Sequence, residues 1–197
     1  MNIPNVKISI IYTNIGYKNT QNPNIMAVTA MAGGVIAHII DDKEANHFGD
    51  FEHLVDFEIT YAEDSSLCMV WGISDNSYTW NAMRNNDEGL SVLFASGGTG
   101  TKSFTLKDST TDTEDAMTPL PTLNTPYYLT IERATTTLTC KIYDDSDRAN
   151  LVDTLTIVCT SDTYSHIIAV GSMEWPAYTG SQSGTINNLD LQEVLPP

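Results

Sequence analysis

The stretch HFGDFEHLVDFEIT, His47–Thr60, gathers Asp50, Glu52, Asp56 and Glu58 beside His47 and His53. Residues of these types can serve three ends: acid/base chemistry, metal ligation, or the wet face of a strand. On a pleated strand, side chains alternate between faces. Phe51, His53, Val55, Phe57 and Ile59 then share one face, and Glu52, Leu54, Asp56, Glu58 and Thr60 the other. The alternation is apolar against acidic, with His53 as the exception, so the carboxylates read as the solvent side of a half-buried strand. A glycosidase needs two carboxylates facing each other across a sugar, roughly 5–9.5 Å apart. Residues two apart on one strand meet that distance trivially, and the E-x-D-x-x-E strand of laminarinase-type glucanases is absent here. His47, Asp50 and His53 do not alternate in a way that makes them converge on a metal.

Further clusters are weaker. Asp144-Asp145-Ser146-Asp147 resembles a calcium-holding run, but it lacks the D-x-D-x-D-G spacing and suits a hairpin turn. Trp80, in DNSYTWNAM, and Trp175 and Tyr178, in MEWPAYTG, stand in turn-like contexts. Aromatic rings on loops among Asn and Asp are what a sugar-binding surface needs, so these three are the candidate glycan-binding residues. Capping the end of a core is the competing role. Trp71, in CMVWGIS, reads as core. There is no G-x-S-x-G, P-loop or dinucleotide fingerprint. No catalytic residue, metal or cofactor is expected.

The elements that must position these residues are nearly all strands. Runs rich in Thr, Val, Ile, Leu and Tyr predict strands at Asn24–Met31, Val35–Asp41, Asp50–Tyr61, Leu67–Ser74, Leu90–Ala95 and Lys102–Leu106. Others follow at Tyr127–Arg133, Leu138–Tyr143, Leu151–Val158, Ser165–Gly171 and Gly184–Leu191. No segment has a convincing helical period, so the expected class is an all-β sandwich or jelly roll. In Tyr127–Arg133, the residues Tyr127, Leu129, Ile131 and Arg133 should point one way and Tyr128, Thr130 and Glu132 the other. LTCKIYDDSDRANLVDTLTI reads as a hairpin turning near Asp147 and Arg148. That register sets Cys140 opposite Leu155 and Cys159 opposite Thr136. The 3 cysteines, Cys68, Cys140 and Cys159, are therefore expected to be reduced and buried.

The chain carries 9 Lys+Arg against 25 Asp+Glu, a formal charge of −16. Such a field repels nucleic acid and anionic membranes. With only 17% charged residues, the surface is largely Ser, Thr, Asn and aromatic, suited to a neutral polar ligand or a rugged coat. No stretch approaches the roughly 20 apolar residues of a membrane span, and MNIPNVKISIIYTNIGYKNT does not read as a secretory signal. Synthesis in a host cytoplasm is expected. Residues 1–23, Asn-rich with Pro4 and Pro23, read as an arm or edge segment, and residues 24–197 as one β-sandwich domain.

Four pieces in order carry a resemblance: His47–His53, Thr125–Arg133, Tyr143–Leu155 and Asn188–Leu191. They resemble an H-F-x-x-D-F-E-H-like strand, which here has one residue between H-F and D-F-E-H, a strand T-x-Y-Y-L-T-I-x-R, a hairpin Y-x-D-S-x-R-x-N-L-x-D-T-L and a closing N-L-D-L. These recur in the concanavalin A-like (laminin G-like) jelly rolls of tailed-phage structural and uncharacterised proteins. The resemblance spans Val35 to Leu191. It implies a concanavalin A-like jelly-roll sandwich of two antiparallel sheets. It also implies a non-enzymatic virion protein: a capsid decoration, head-fibre or tail-associated subunit with a glycan-adhesion role. The expected partners are a major capsid or tail protein, further copies of the chain in a homo-oligomer, and a host surface glycan. The alternative is a soluble carbohydrate-binding module, and behind it a glycoside hydrolase.

Overall fold

The computed structural model describes residues 26–31, 38–42, 45–76, 80–97, 101–172, 180 and 182–190. In chain order the strands are β1 (Met26–Met31), β2 (His38–Asp42), β3 (Phe51–Ala62), β4 (Ser66–Ser74), β5 (Leu90–Ser96) and β6 (Lys102–Asp108). They continue as β7 (Thr113–Ala116), β8 (Pro126–Ala134), β9 (Thr137–Tyr143), β10 (Leu151–Val158), β11 (His166–Ser172) and β12 (Gln182–Asp190). One helix, α1 (Trp80–Asn85), lies between β4 and β5.

The strands form two 6-stranded sheets. The first has the order β1-β12-β3-β8-β9-β10, the second β2-β11-β4-β5-β6-β7. Each pairing is antiparallel. This is an all-β, concanavalin A-like jelly-roll sandwich, the fold class expected from the sequence.

The core follows from the pleat. Phe51, Val55, Phe57 and Ile59 of β3 face inward with Tyr127, Leu129 and Ile131 of β8 and Leu138, Cys140 and Ile142 of β9. Val92 and Phe94 of β5 and Phe104 and Leu106 of β6 meet them from the second sheet. Phe57 stacks on Phe104 with ring centroids 5.0 Å apart and planes 7° from parallel. Offset stacking adds to the burial of two large rings.

Two elements, α1 and β7, lie outside the strands read from the sequence. β4 is buried along its whole length because α1 covers its outer side. Trp80 and Met83 of α1 pack on Leu67, Met69, Leu93 and Ile168, a second, smaller core on the far face of the second sheet. β7, the sequence TEDA, has no apolar pattern to reveal it. It pairs β6 through Thr105↔Ala116 to Asp108↔Thr113.

The β9–β10 hairpin has the expected register. Leu155 pairs Cys140, and the Cys159 N–H donates to the Thr136 carbonyl at 2.9 Å. Cys68, Cys140 and Cys159 are free and buried. Residues 1–23 lie outside the described residues.

Candidate functional site

The outward side chains of the first sheet form the candidate site. Strand register builds it: Asp56 of β3 lies opposite Tyr128 of β8, Tyr128 opposite Tyr143 of β9, and Tyr143 opposite Leu151 of β10. On the other side of β3, the backbone of Asn187 in β12 pairs with Asp56. At about 4.8 Å between strands, this row runs some 19 Å across the sheet. Tyr128 and Tyr143 are half-buried, and Leu151 is exposed.

Asp56 is the departure from the simple wet-face expectation, since it is only 7% exposed. Arg148 covers it. The Arg148 Nη2 donates to Asp56 Oδ1 at 2.5 Å and to the Leu129 carbonyl at 3.4 Å. The guanidinium also stands 5.9 Å from the centre of the Tyr128 ring. The turn between β9 and β10 is built to throw Arg148 back onto this face. Arg148 has φ +52°, a left-handed conformation that costs a non-glycine residue roughly 1–2 kcal/mol. Asp145 holds the turn by accepting the backbone N–H of Asn150 at 2.6 Å and of Ala149 at 3.1 Å. Those N–H bonds, Asn150 first, hold the Asp145 carboxyl below its ordinary pKa. The Asp144 Oδ1 accepts the Asn150 side-chain amide at 2.6 Å. The acidic run at 144–147 thus spends these two carboxylates on the turn itself.

His53 and Asp50 of the opening stretch take partners elsewhere. His53 is fully buried, stacks on Phe51 at 4.3 Å, and accepts the Trp71 indole N–H on Nδ1 at 3.0 Å. Burial, with His47 adding to it, pulls its pKa from 6.5 to about 3. The imidazole is a neutral core group. Asp50 Oδ1 accepts the Thr135 N–H at 2.6 Å. Among the described residues, no group of three or more His, Cys, Asp or Glu is placed to hold a metal ion.

Trp80 does not stand on a loop. It begins α1, is only 7% exposed, and has Arg84 5.6 Å over its ring. A ring this buried, packed into the second core, offers no open platform, which removes it from the candidate glycan surface. Trp175 and Tyr178 lie outside the described residues. The residues that sequence reasoning missed are Tyr128, Tyr143 and Arg148. The alternation of TPYYLTIER does set Tyr128 on the outer face. The register that joins it to Asp56 and Tyr143 comes only with the folded sheet.

At one end of the sandwich, the buried Arg133 ties the chain together. Its Nε donates to the Thr135 carbonyl at 3.2 Å and its Nη2 to the Thr160 carbonyl at 3.0 Å. Asp108, fully buried, accepts the N–H groups of Thr110 at 2.8 Å and Thr160 at 3.0 Å. These contacts splice the β8–β9 turn, the end of β6 and the segment after β10.

No protein-family model matches the sequence, and no curated protein matches it. Solved structures share its fold. Lectin II from Ulex europaeus is similar with a TM-score of 0.52 and 11% identity, over 86% of this chain and 92% of that one. A protein from Saccharomyces cerevisiae, described as functionally unknown, has a TM-score of 0.50 and 10% identity. That likeness spans 96% of this chain and 97% of the other. At such identities the likeness is one of fold: the lectin-type, concanavalin A-like jelly roll.

Proposed function

We propose that this chain is a non-enzymatic carbohydrate-binding module that holds a glycan on the outer face of its first sheet. The observation that carries the reading is the Asp56–Arg148 pair fixed beside Tyr128 and Tyr143. A pyranose presents an apolar C–H face and a rim of hydroxyls. Tyrosines supply the flat apolar surface with a polar tip, and a small number of fixed polar groups orient the ligand. Arg148 and Asp56 cancel one another's charge, so Arg148, the more exposed of the two, can donate to a hydroxyl without the face attracting every ion. The strained turn sets their geometry before the ligand arrives, which lowers the ordering cost of binding. The shared fold with a lectin supports this reading, but one fold hosts many activities, so the weight rests on the face. Asp56 holds the guanidinium in place over the face.

Retention on immobilised polysaccharides, followed by calorimetry on the glycan retained, tests the site. Tyr128→Ala and Tyr143→Ala should each weaken binding roughly tenfold, about 1.4 kcal/mol. Unchanged affinity in both variants would move the site elsewhere. Release of reducing ends from the bound glycan would overturn the non-enzymatic part.

The ordered sequence resemblance supports a second element, a place for this module on a tailed-phage particle as a coat, fibre or tail subunit. Mass spectrometry of purified particles should then find it in fixed ratio to the major capsid protein. Its absence there would leave the module and remove the particle.

A further inference from the structure

The face that carries the Asp56–Arg148 pair is unevenly charged. Glu52, Asp56 and Glu58 project from β3 on one side of the pleat, and Glu132 projects from β8. Glu52 and Glu132 are direct cross-strand partners, an arrangement of like charges that destabilises a sheet. Two cations of the described residues on this face are already engaged. Arg148 is held by Asp56, and the Lys141 Nζ lies 3.6 Å from Glu132. Among the described residues, neither Glu52 nor Glu58 has an ion pair with a basic side chain.

Position makes this charge count at the site. Glu58 follows Asp56 by two residues on the same face, a separation of roughly 7 Å. That is within the Debye length of about 8 Å at physiological salt. Glu52 stands four residues before Asp56 on the other side of the row, roughly 13 Å away, so its charge is more strongly screened there than that of Glu58. A ligand lying along the Asp56–Tyr128–Tyr143–Leu151 row thus meets, where it crosses β3, a carboxylate without a basic partner on each side of the row, Glu58 the nearer and Glu52 the farther. The two tyrosines and the internally neutralised pair supply contacts that require no ligand charge.

We infer that the ligand is a glycan without carboxylate or sulfate groups, neutral or carrying free amines, and that Glu52 and Glu58 determine this specificity. The inference rests on the carbohydrate-binding reading of the same face. A uronic acid, a sialic acid or a sulfated sugar would bring its anion against Glu58 or Glu52, which have no basic partner among the described residues. Like-charge juxtaposition of this kind is how interfaces reject wrong partners. A free amine would find a carboxylate to pair with.

The test uses the full chain and an array of oligosaccharides in three groups: neutral, amine-bearing such as deacetylated chitohexaose, and acidic such as oligogalacturonate and sialyllactose. Neutral or amine-bearing members should bind at least tenfold more tightly than acidic ones. Amine-bearing members should weaken as salt rises. The double variant Glu52→Lys, Glu58→Lys, checked for cooperative unfolding, should shift the preference toward acidic members by at least tenfold. Should the double variant fail to fold, Glu58→Gln alone, which keeps the shape of the side chain, should narrow the difference. Acidic glycans bound as tightly as neutral ones by the native chain would overturn this inference while leaving the carbohydrate-binding reading intact. No retention of any group would overturn both.

Discussion

Arg148 and Asp56 are 92 positions apart in sequence, yet the guanidinium of one lies 2.5 Å from the carboxylate of the other. The pair joins the β9–β10 turn to the middle of the first sheet, and it is mostly screened from water. Removing one partner leaves the other desolvated, which costs about 1–3 kcal/mol. Arg148→Ala and Asp56→Ala should each lower the urea-unfolding free energy by that order. The double variant should lose less than the sum, because the second removal no longer orphans a charge. Arg148→Gly should be more stable than Arg148→Ala by about 1 kcal/mol, since glycine adopts the positive φ without strain. Equal stability of the two would remove the argument that the turn is strained to place this side chain.

His53 gives the fold a pH dependence whose sign is fixed by burial. Its folded pKa is about 3 against 6.5 for the free group. Between those values the unfolded chain binds a proton that the native chain does not, so stability falls as pH drops below 6.5 and is flat above it. The loss attributable to His53 approaches about 3 kcal/mol near pH 4. Subtracting the pH profile of His53→Gln from that of the native chain should isolate the slope. The native His53 ring resonances should show no titration down to about pH 4.5.

The alternation that makes His53 readable as a core residue also made most of the sheet readable. Phe51 to Ile59 face inward at every second position, and Tyr127 to Arg133 do the same, because pleat geometry alone sets the period. The hairpin register at Cys140 and Leu155 followed from turn chemistry in Asp144–Asp147. α1 escaped notice because it spans Trp80–Asn85, too short to show a helical period, and its apolar face is only Trp80 and Met83. The site was harder still. Which strands are neighbours decides which outward residues meet, and no local pattern in β3 announces that Asp56 will lie beside Tyr128 or beneath Arg148.

The cysteines should be silent in the native protein. Burial pushes the Cys68 thiol up to about 12 and raises Cys140 as well, so almost no thiolate exists at neutral pH. Cys159, also raised chiefly by burial, sits at the end of the sandwich beside Arg133 and Asp108. Iodoacetamide at neutral pH should modify none of the three in the folded chain and all three in denaturant. Labelling that starts on heating should begin at Cys159, because opening the end of the sandwich exposes it before the central strands part. Early modification of Cys140 would show that β9 opens first instead.

The sheet edges at β7 and β10 are closed by two carboxylates rather than by another strand. Asp115 Oδ2 accepts the Thr156 N–H at 2.9 Å while its Oδ1 takes the Ala116 N–H at 2.9 Å. Asp153 reciprocates, accepting the Thr118 N–H at 2.7 Å and the Thr154 N–H at 2.8 Å. Asp115 therefore occupies a donor of its own strand and one from the opposing sheet, and Asp153 one of its own strand and one from the segment after β7. A row of unpaired N–H groups is a template for another chain, and here those donors are taken while Val158, 70% exposed, and Leu151, 52% exposed, remain at the two ends of β10. Asp115→Ala and Asp153→Ala should each cost about 1 kcal/mol and speed amide exchange at Thr156 and Thr118, respectively. Together they should make the chain self-associate at concentrations where the native chain's sedimentation does not change. If exchange at both amides stays slow in the double variant, backbone pairing rather than the carboxylates protects this edge.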